Sequence, residues 1–112
     1  MSTAEERLAL IEEIYKDALE NEPHDLAAAA TAVEVTAIQA NVVLARQTYY
    51  GAISLVLTQD ESLVCTAFDA ATQAQSAVAD ARAKEAQIPD LITKVASAVQ
   101  LAGKLAAAAK KL

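Results

Sequence analysis

Apolar side chains recur every three or four residues along most of this chain, the repeat of one face of an α-helix. The pattern predicts four helices in one domain spanning residues 1–112, at about 3–20, 23–57, 60–87 and 90–110. Ser2 and Thr3 each precede a glutamate by three residues, as in a capping box, so the first helix should begin there. We expect it to end near Asn21, because Pro23 cannot donate the next helical hydrogen bond.

The second segment has the most regular pattern, with a heptad spacing that runs from Val35 to Val56. Further apolar residues lie off this seam, so the helix is apolar on more than one face. Such a helix is either central or covered by a partner. Thr58 and Glu61 form another capping-box pattern, which predicts a tight antiparallel hairpin between the second and third helices.

Composition supports the all-helical prediction. A quarter of the residues are alanine, the best helix former, and the chain has only two glycines and two prolines. We therefore predict an all-α fold, an antiparallel helical hairpin or four-helix arrangement with coiled-coil-like packing. Alanine-rich faces bury little area per contact, and a thin core favours long contacts or oligomers.

The heptad seam of the second segment and the small-residue stripe of the third are the predicted assembly interface. The candidate residues are Val35, Ile38, Val42, Tyr49, Val56, Ala67, Ala71, Ala74 and Val78. The predicted partner is a second copy of the chain, in a homo-oligomer or a polymer, or a related helical subunit.

Charge is unevenly distributed within the formal net charge of −6. Residues 1–40 hold nine acidic and two basic side chains, whereas residues 80–112 hold three acidic and six basic ones. Either the first and last helices lie side by side, or acidic and basic ends meet between subunits in a head-to-tail contact. The acidic balance argues against nucleic acid as a partner.

Candidate chemistry is sparse, so we predict no enzyme, no metal site and no cofactor. The chain has one histidine, His24, and one cysteine, Cys65, too few for a structural zinc site or a di-iron bundle. We interpret His24 as an exposed turn residue. The acidic start does not fit a secretion signal, and a cytoplasmic location is expected. Residues 35–59 are the most membrane-like stretch, but Arg46 favours a buried helix over a span; membrane contact is expected only of an assembly.

One family resemblance adds to these predictions. Val35-Thr36 followed by Gln39-Ala40-Asn41-Val42 is similar to the opening of R-body structural proteins, the killing-trait family. Ser54-Leu55 and residues 67–75 resemble later motifs of that family, so the likeness covers roughly residues 35–76. The spacing of the first motif is about two residues shorter here, and Phe68-Asp69 stands where the family has His-Asn.

The resemblance implies a bacterial protein that polymerises into ribbons in the cytoplasm, some of which unroll in acid. An acid response needs carboxylates close enough to repel one another. The candidates are Glu5, Glu12, Glu13, Asp17, Glu20 and Glu22.

Two alternatives remain open beside a self-assembling structural protein. The first is a soluble helical adaptor that binds a different protein through the same surface. The second is a ligand-binding or enzymatic bundle, for which the sequence shows no convergent polar residues.

Overall fold

The computed structural model describes residues 2–55, 57–58 and 62–110. They form four helices: α1 (Ala4–Ala28), α2 (Ala32–Ile53), α3 (Ser62–Ala83) and α4 (Ile88–Ala109). The described residues contain no strand, and the helices pack into an elongated bundle of 43 × 24 × 18 Å. The all-α fold class is confirmed.

The boundary between α1 and α2 was predicted wrongly. α1 continues through Pro23 and ends at Ala28, so the second helix begins at Ala32 and not near Pro23. A proline inside a helix costs one backbone hydrogen bond, but residues beyond it gain tertiary contacts, including a buried Asp25. The real break is fixed by Thr31, whose hydroxyl accepts from the Glu34 amide, while the Glu34 carboxylate accepts from the Ala30 amide.

The other helix ends differ less from the prediction. At the start of α1, Thr3 and Glu6 form the predicted capping box. α2 ends at Ile53 and not near residue 57, two residues after Gly51. α3 ends at Ala83, and α4 begins at Ile88. The predicted Thr58–Glu61 capping box and the predicted start of the third helix at residue 60 involve positions outside the described residues.

α4 is the central helix of the bundle, because it contacts each of the other three. Its predicted seam is confirmed as core: Leu91, Val95, Ala98, Ala102, Leu105 and Ala109 are all buried, and Leu112 lies outside the described residues. Small residues along this seam allow neighbouring helices to approach closely. The expected side-by-side placement of the first and last helices is also observed.

The predicted hairpin between α2 and α3 is wrong. Among the described residues, no Cα atom of α2 lies within 8 Å of α3, because α4 occupies the space between them. α2 packs on α1 and α4, and α3 packs mainly on α4. One face of α2 is therefore left without an intramolecular neighbour.

Polar contacts define the two ends of the bundle. At one end, the buried Arg7 donates from Nη1 to the Leu57 carbonyl at 2.8 Å, which ties α1 to the connection between α2 and α3. At the other end, Arg82 of α3 binds Asp17 and Asp25 of α1. These contacts place the connections α1–α2 and α3–α4 together at the second end.

Candidate functional surface and cleft

The side of α2 that faces away from the bundle is uncharged and largely apolar. We call it the α2 outer face and define it by six exposed residues: Val33, Ala40, Val43, Leu44, Gln47 and Tyr50. Leu44 is 51% exposed and Tyr50 57% exposed, which is high for large apolar side chains. A contiguous apolar surface of this kind is typical of a protein interaction site.

The predicted interface residues lie elsewhere. Within the chain, Ile38, Val42, Ala71 and Val78 are buried in the core of the bundle, where they contact other helices of the same chain. The half-buried candidates are Val35, Tyr49, Ala67 and Ala74, and Val56 lies outside the described residues. The exposed apolar residues that remain available to a partner are those of the α2 outer face.

A cluster of three tyrosines borders the α2 outer face. The Tyr15 and Tyr49 rings stack with centroids 5.6 Å apart, and Tyr50 meets Tyr15 edge-on at 6.0 Å. Arg46 donates from Nε to the Tyr15 hydroxyl at 3.2 Å, and this hydrogen bond lowers the pKa of Tyr15. The cluster holds the exposed Tyr50 ring against a rigid support, the setting in which aromatic residues stabilise interfaces most.

The Tyr49 hydroxyl donates a hydrogen bond to the Glu12 carboxylate. This bond, together with the ion pair that Glu12 forms with Lys16 at 3.2 Å, lowers the pKa of Glu12. It also raises the pKa of Tyr49, because the ionised carboxylate disfavours a second negative charge on the phenol. The pair joins α1 to α2 beside the tyrosine cluster.

The predicted acid-sensitive carboxylates do not share one environment. Asp17 pairs with Arg82, and Glu12 is held by Tyr49 and Lys16. Glu22 is half-buried, and Glu5, Glu13 and Glu20 are exposed. Two of the six are therefore bound to cationic or hydrogen-donating partners.

The second end of the bundle contains a cleft of about 780 Å³, which we call the end cleft. It lies between the α1–α2 and α3–α4 connections. Its polar lining includes His24, Glu34, Arg82, Glu85 and Gln87. Its apolar lining consists of Ala28, Ala30, Ala86, Ile88, Pro89 and Leu91.

Arg82 connects the end cleft to the core. Its Nε donates to Asp17 at 3.1 Å and its Nη1 donates to Asp25 at 2.9 Å. Burial alone would lower the pKa of Arg82, but the carboxylates of Asp25 and Asp17 outweigh burial and raise it. The remaining nitrogen, Nη2, is buried and has no hydrogen-bond acceptor among the described residues. A buried donor of this kind costs roughly 1–3 kcal/mol.

Glu85 closes the end of α3 in an unusual conformation. Its φ of 53° lies in the left-handed region that favours glycine. The Ala86 amide donates to the Ala81 carbonyl at 2.9 Å, and the Glu85 amide donates to the Arg82 carbonyl at 3.1 Å. These two bonds are a Schellman motif, which usually has glycine at this position. A glutamate there places a strained, exposed carboxylate on the rim of the end cleft.

The sequence could not indicate the end cleft directly. His24 was interpreted as a turn residue, but it is an exposed residue within α1 and one of the cleft's lining side chains. Arg82 and its partners are 57 and 65 residues apart in the chain, so no local pattern joins them. The one available signal was the Thr31–Glu34 spacing, which marks the start of α2 beside the cleft.

Comparisons of the chain with family profiles, with curated proteins and with solved structures find no match. Among the described residues, His, Cys, Asp and Glu side chains nowhere gather in a group of three that would hold a metal ion. Of the described helices, α4 is the one with the length and hydropathy of a membrane span. The sequence pattern had pointed to residues 35–59 instead. Since α4 is the bundle's central helix, its apolar character is also that of a core helix.

Proposed function

We propose that this chain is a non-enzymatic structural protein that associates with copies of itself through the α2 outer face. The observation that carries the proposal is the exposure of a large, uncharged apolar surface on a helix whose other side is packed against α1 and α4. The R-body resemblance, which covers residues 35–76, includes this helix and supports assembly as its role.

The partner we favour is a second copy, because of the charge distribution. The chain carries a net charge of −6, so two copies repel unless their contact keeps like charges apart. The α2 outer face contains no ionisable side chain apart from the Tyr50 phenol. It therefore presents no like charge to its own copy, as a two-fold symmetric contact requires.

The size of the face limits the strength of this contact. A helix of 22 residues is about 33 Å long and about 10 Å wide. Two such faces bury less than the roughly 800 Å² per partner of a standard interface. We expect a dissociation constant of about 1 µM or weaker. Because a two-fold contact closes a dimer, growth into a ribbon requires a second surface.

Size-exclusion chromatography with light scattering tests the proposal with matched variants. Leu44→Glu places a charge at the centre of the α2 outer face, whereas Gln100→Glu places the same charge on an exposed position of α4. The wild-type chain and Gln100→Glu should form dimers or larger species, and Leu44→Glu should be monomeric with unchanged helical circular dichroism. Equal association by all three chains would contradict the proposed surface. A monomeric wild-type chain that forms a one-to-one complex with a different protein would favour the adaptor function instead.

A further inference from the structure

The end cleft has features that neither the bundle core nor the α2 outer face explains. No residue that lines it belongs to that face. Its volume of about 780 Å³ lies in the range of small-molecule sites. Most of its wall is apolar, with a few polar groups, which is the usual composition of a ligand pocket.

Two local costs to folding occur together at this cleft. The first is the buried Nη2 of Arg82, which has no acceptor among the described residues. The second is the left-handed backbone of Glu85, three residues along the same chain segment. Unfavourable choices of this kind are expected where a functional site is retained. Both are removed by simple substitutions, so their presence together indicates a ligand.

The chemistry of the lining defines the class of that ligand. The unpaired Nη2 requires an oxygen acceptor, such as a carboxylate. The positive charge of Arg82 is already balanced by Asp17 and Asp25, while Glu34 and Glu85 add negative charge to the lining. A purely anionic ligand is therefore disfavoured, and a group with a positive charge is favoured.

We propose that the end cleft binds a zwitterionic ligand of amino-acid size. Its carboxylate accepts from Nη2 of Arg82, after a small side-chain adjustment that uncovers this atom. Its ammonium group lies near the carboxylates of Glu85 and Glu34. Its apolar part packs against Ile88 and Leu91, which line the same cleft.

The test uses three related probes, followed through the backbone amide signals of the ¹⁵N-labelled chain. Leucine carries both charges, leucinamide lacks the carboxylate, and N-acetylleucine lacks the ammonium group. At ~10 mM, which populates even a millimolar complex, leucine should shift the amides of Ala28, Glu85 and Ile88 saturably. Each derivative should bind at least about tenfold more weakly, because each leaves one polar group of the site unpaired.

Variants distinguish a binding site from a passive groove. Glu85→Gly should raise the melting temperature, since glycine suits the left-handed backbone, and should weaken leucine binding by about tenfold. Glu20→Gln, which alters an exposed carboxylate outside the cleft lining, should leave binding unchanged. The proposal is overturned if no probe gives saturable shifts at the cleft, if the three probes bind equally, or if Glu85→Gly binds leucine as well as the wild-type chain.

Discussion

The strongest stability prediction concerns the guanidinium of Arg82. Arg82→Met keeps most of the apolar stem of the side chain but leaves two carboxylates without their cation. The exposed fraction is 14% for Arg82, 19% for Asp17 and 8% for Asp25, so the carboxylates cannot be fully rehydrated without local opening. Removing one partner from a buried ion pair typically costs about 3–5 kcal/mol.

Partial exposure places this case at the lower end of that range, at about 3 kcal/mol of unfolding free energy. For a domain of this size, such a loss lowers the melting temperature by roughly 10–20 °C. Urea denaturation followed by circular dichroism at 222 nm measures it directly. The slope of the transition should not change, because the surface exposed on unfolding is nearly the same.

A matched variant separates lost pairing from lost packing. The triple substitution Arg82→Met with Asp17→Leu and Asp25→Leu replaces the whole ion network by apolar groups. Such replacements are often neutral or stabilising, so this chain should regain most of the lost stability. If Arg82→Met alone costs less than about 0.5 kcal/mol, the ordinary range of a surface change, the network does not hold α1 to α3.

Three further outcomes are expected. Leu105→Ala opens a cavity beneath a fully buried side chain and should cost about 2–5 kcal/mol, whereas Leu63→Ala on the exposed side of α3 should change stability by less than about 0.5 kcal/mol in the same urea assay. Gly103→Ala should stabilise the chain by about 0.5–1 kcal/mol in thermal melts, because an added Cβ meets nothing within 4 Å and the residue lies inside α4. Tyr49→Phe should raise the pKa of Glu12 toward its ordinary value of 4.5 in an NMR titration; since the native pKa is depressed, the contribution of Glu12 to stability is present above pH 4.5 and is lost as the pH falls, and an unchanged pKa would contradict the hydrogen bond.

The fold class was readable from the sequence because helix propensity and apolar spacing agree along the chain. The interior of α4 was predicted residue by residue, since its apolar positions form a single face. The end of α1 was not, because the prediction weighed the cost of Pro23 against nothing. In the folded chain, the burial of Asp25 and its pairing with Arg82 offset that cost.

Neighbours in space were harder to predict than helices. Adjacent helices in a chain usually pack together, yet α2 and α3 are separated by α4. The heptad seam of α2 predicted a contact correctly but could not tell which chain supplies the partner. Ile38 and Val42 pack inside the same chain, and the exposed Leu44 on the opposite side is the better candidate for contact with another.

Sedimentation equilibrium of the wild-type chain tests the central claim of self-association most directly. Over protein concentrations from about 1 µM to 1 mM, which bracket the expected dissociation constant, the average mass should rise above the 11.7 kDa of one chain. Leu44→Glu should remain at the monomer mass over the same range. A wild-type mass of 11.7 kDa at the highest concentration would contradict assembly through the α2 outer face.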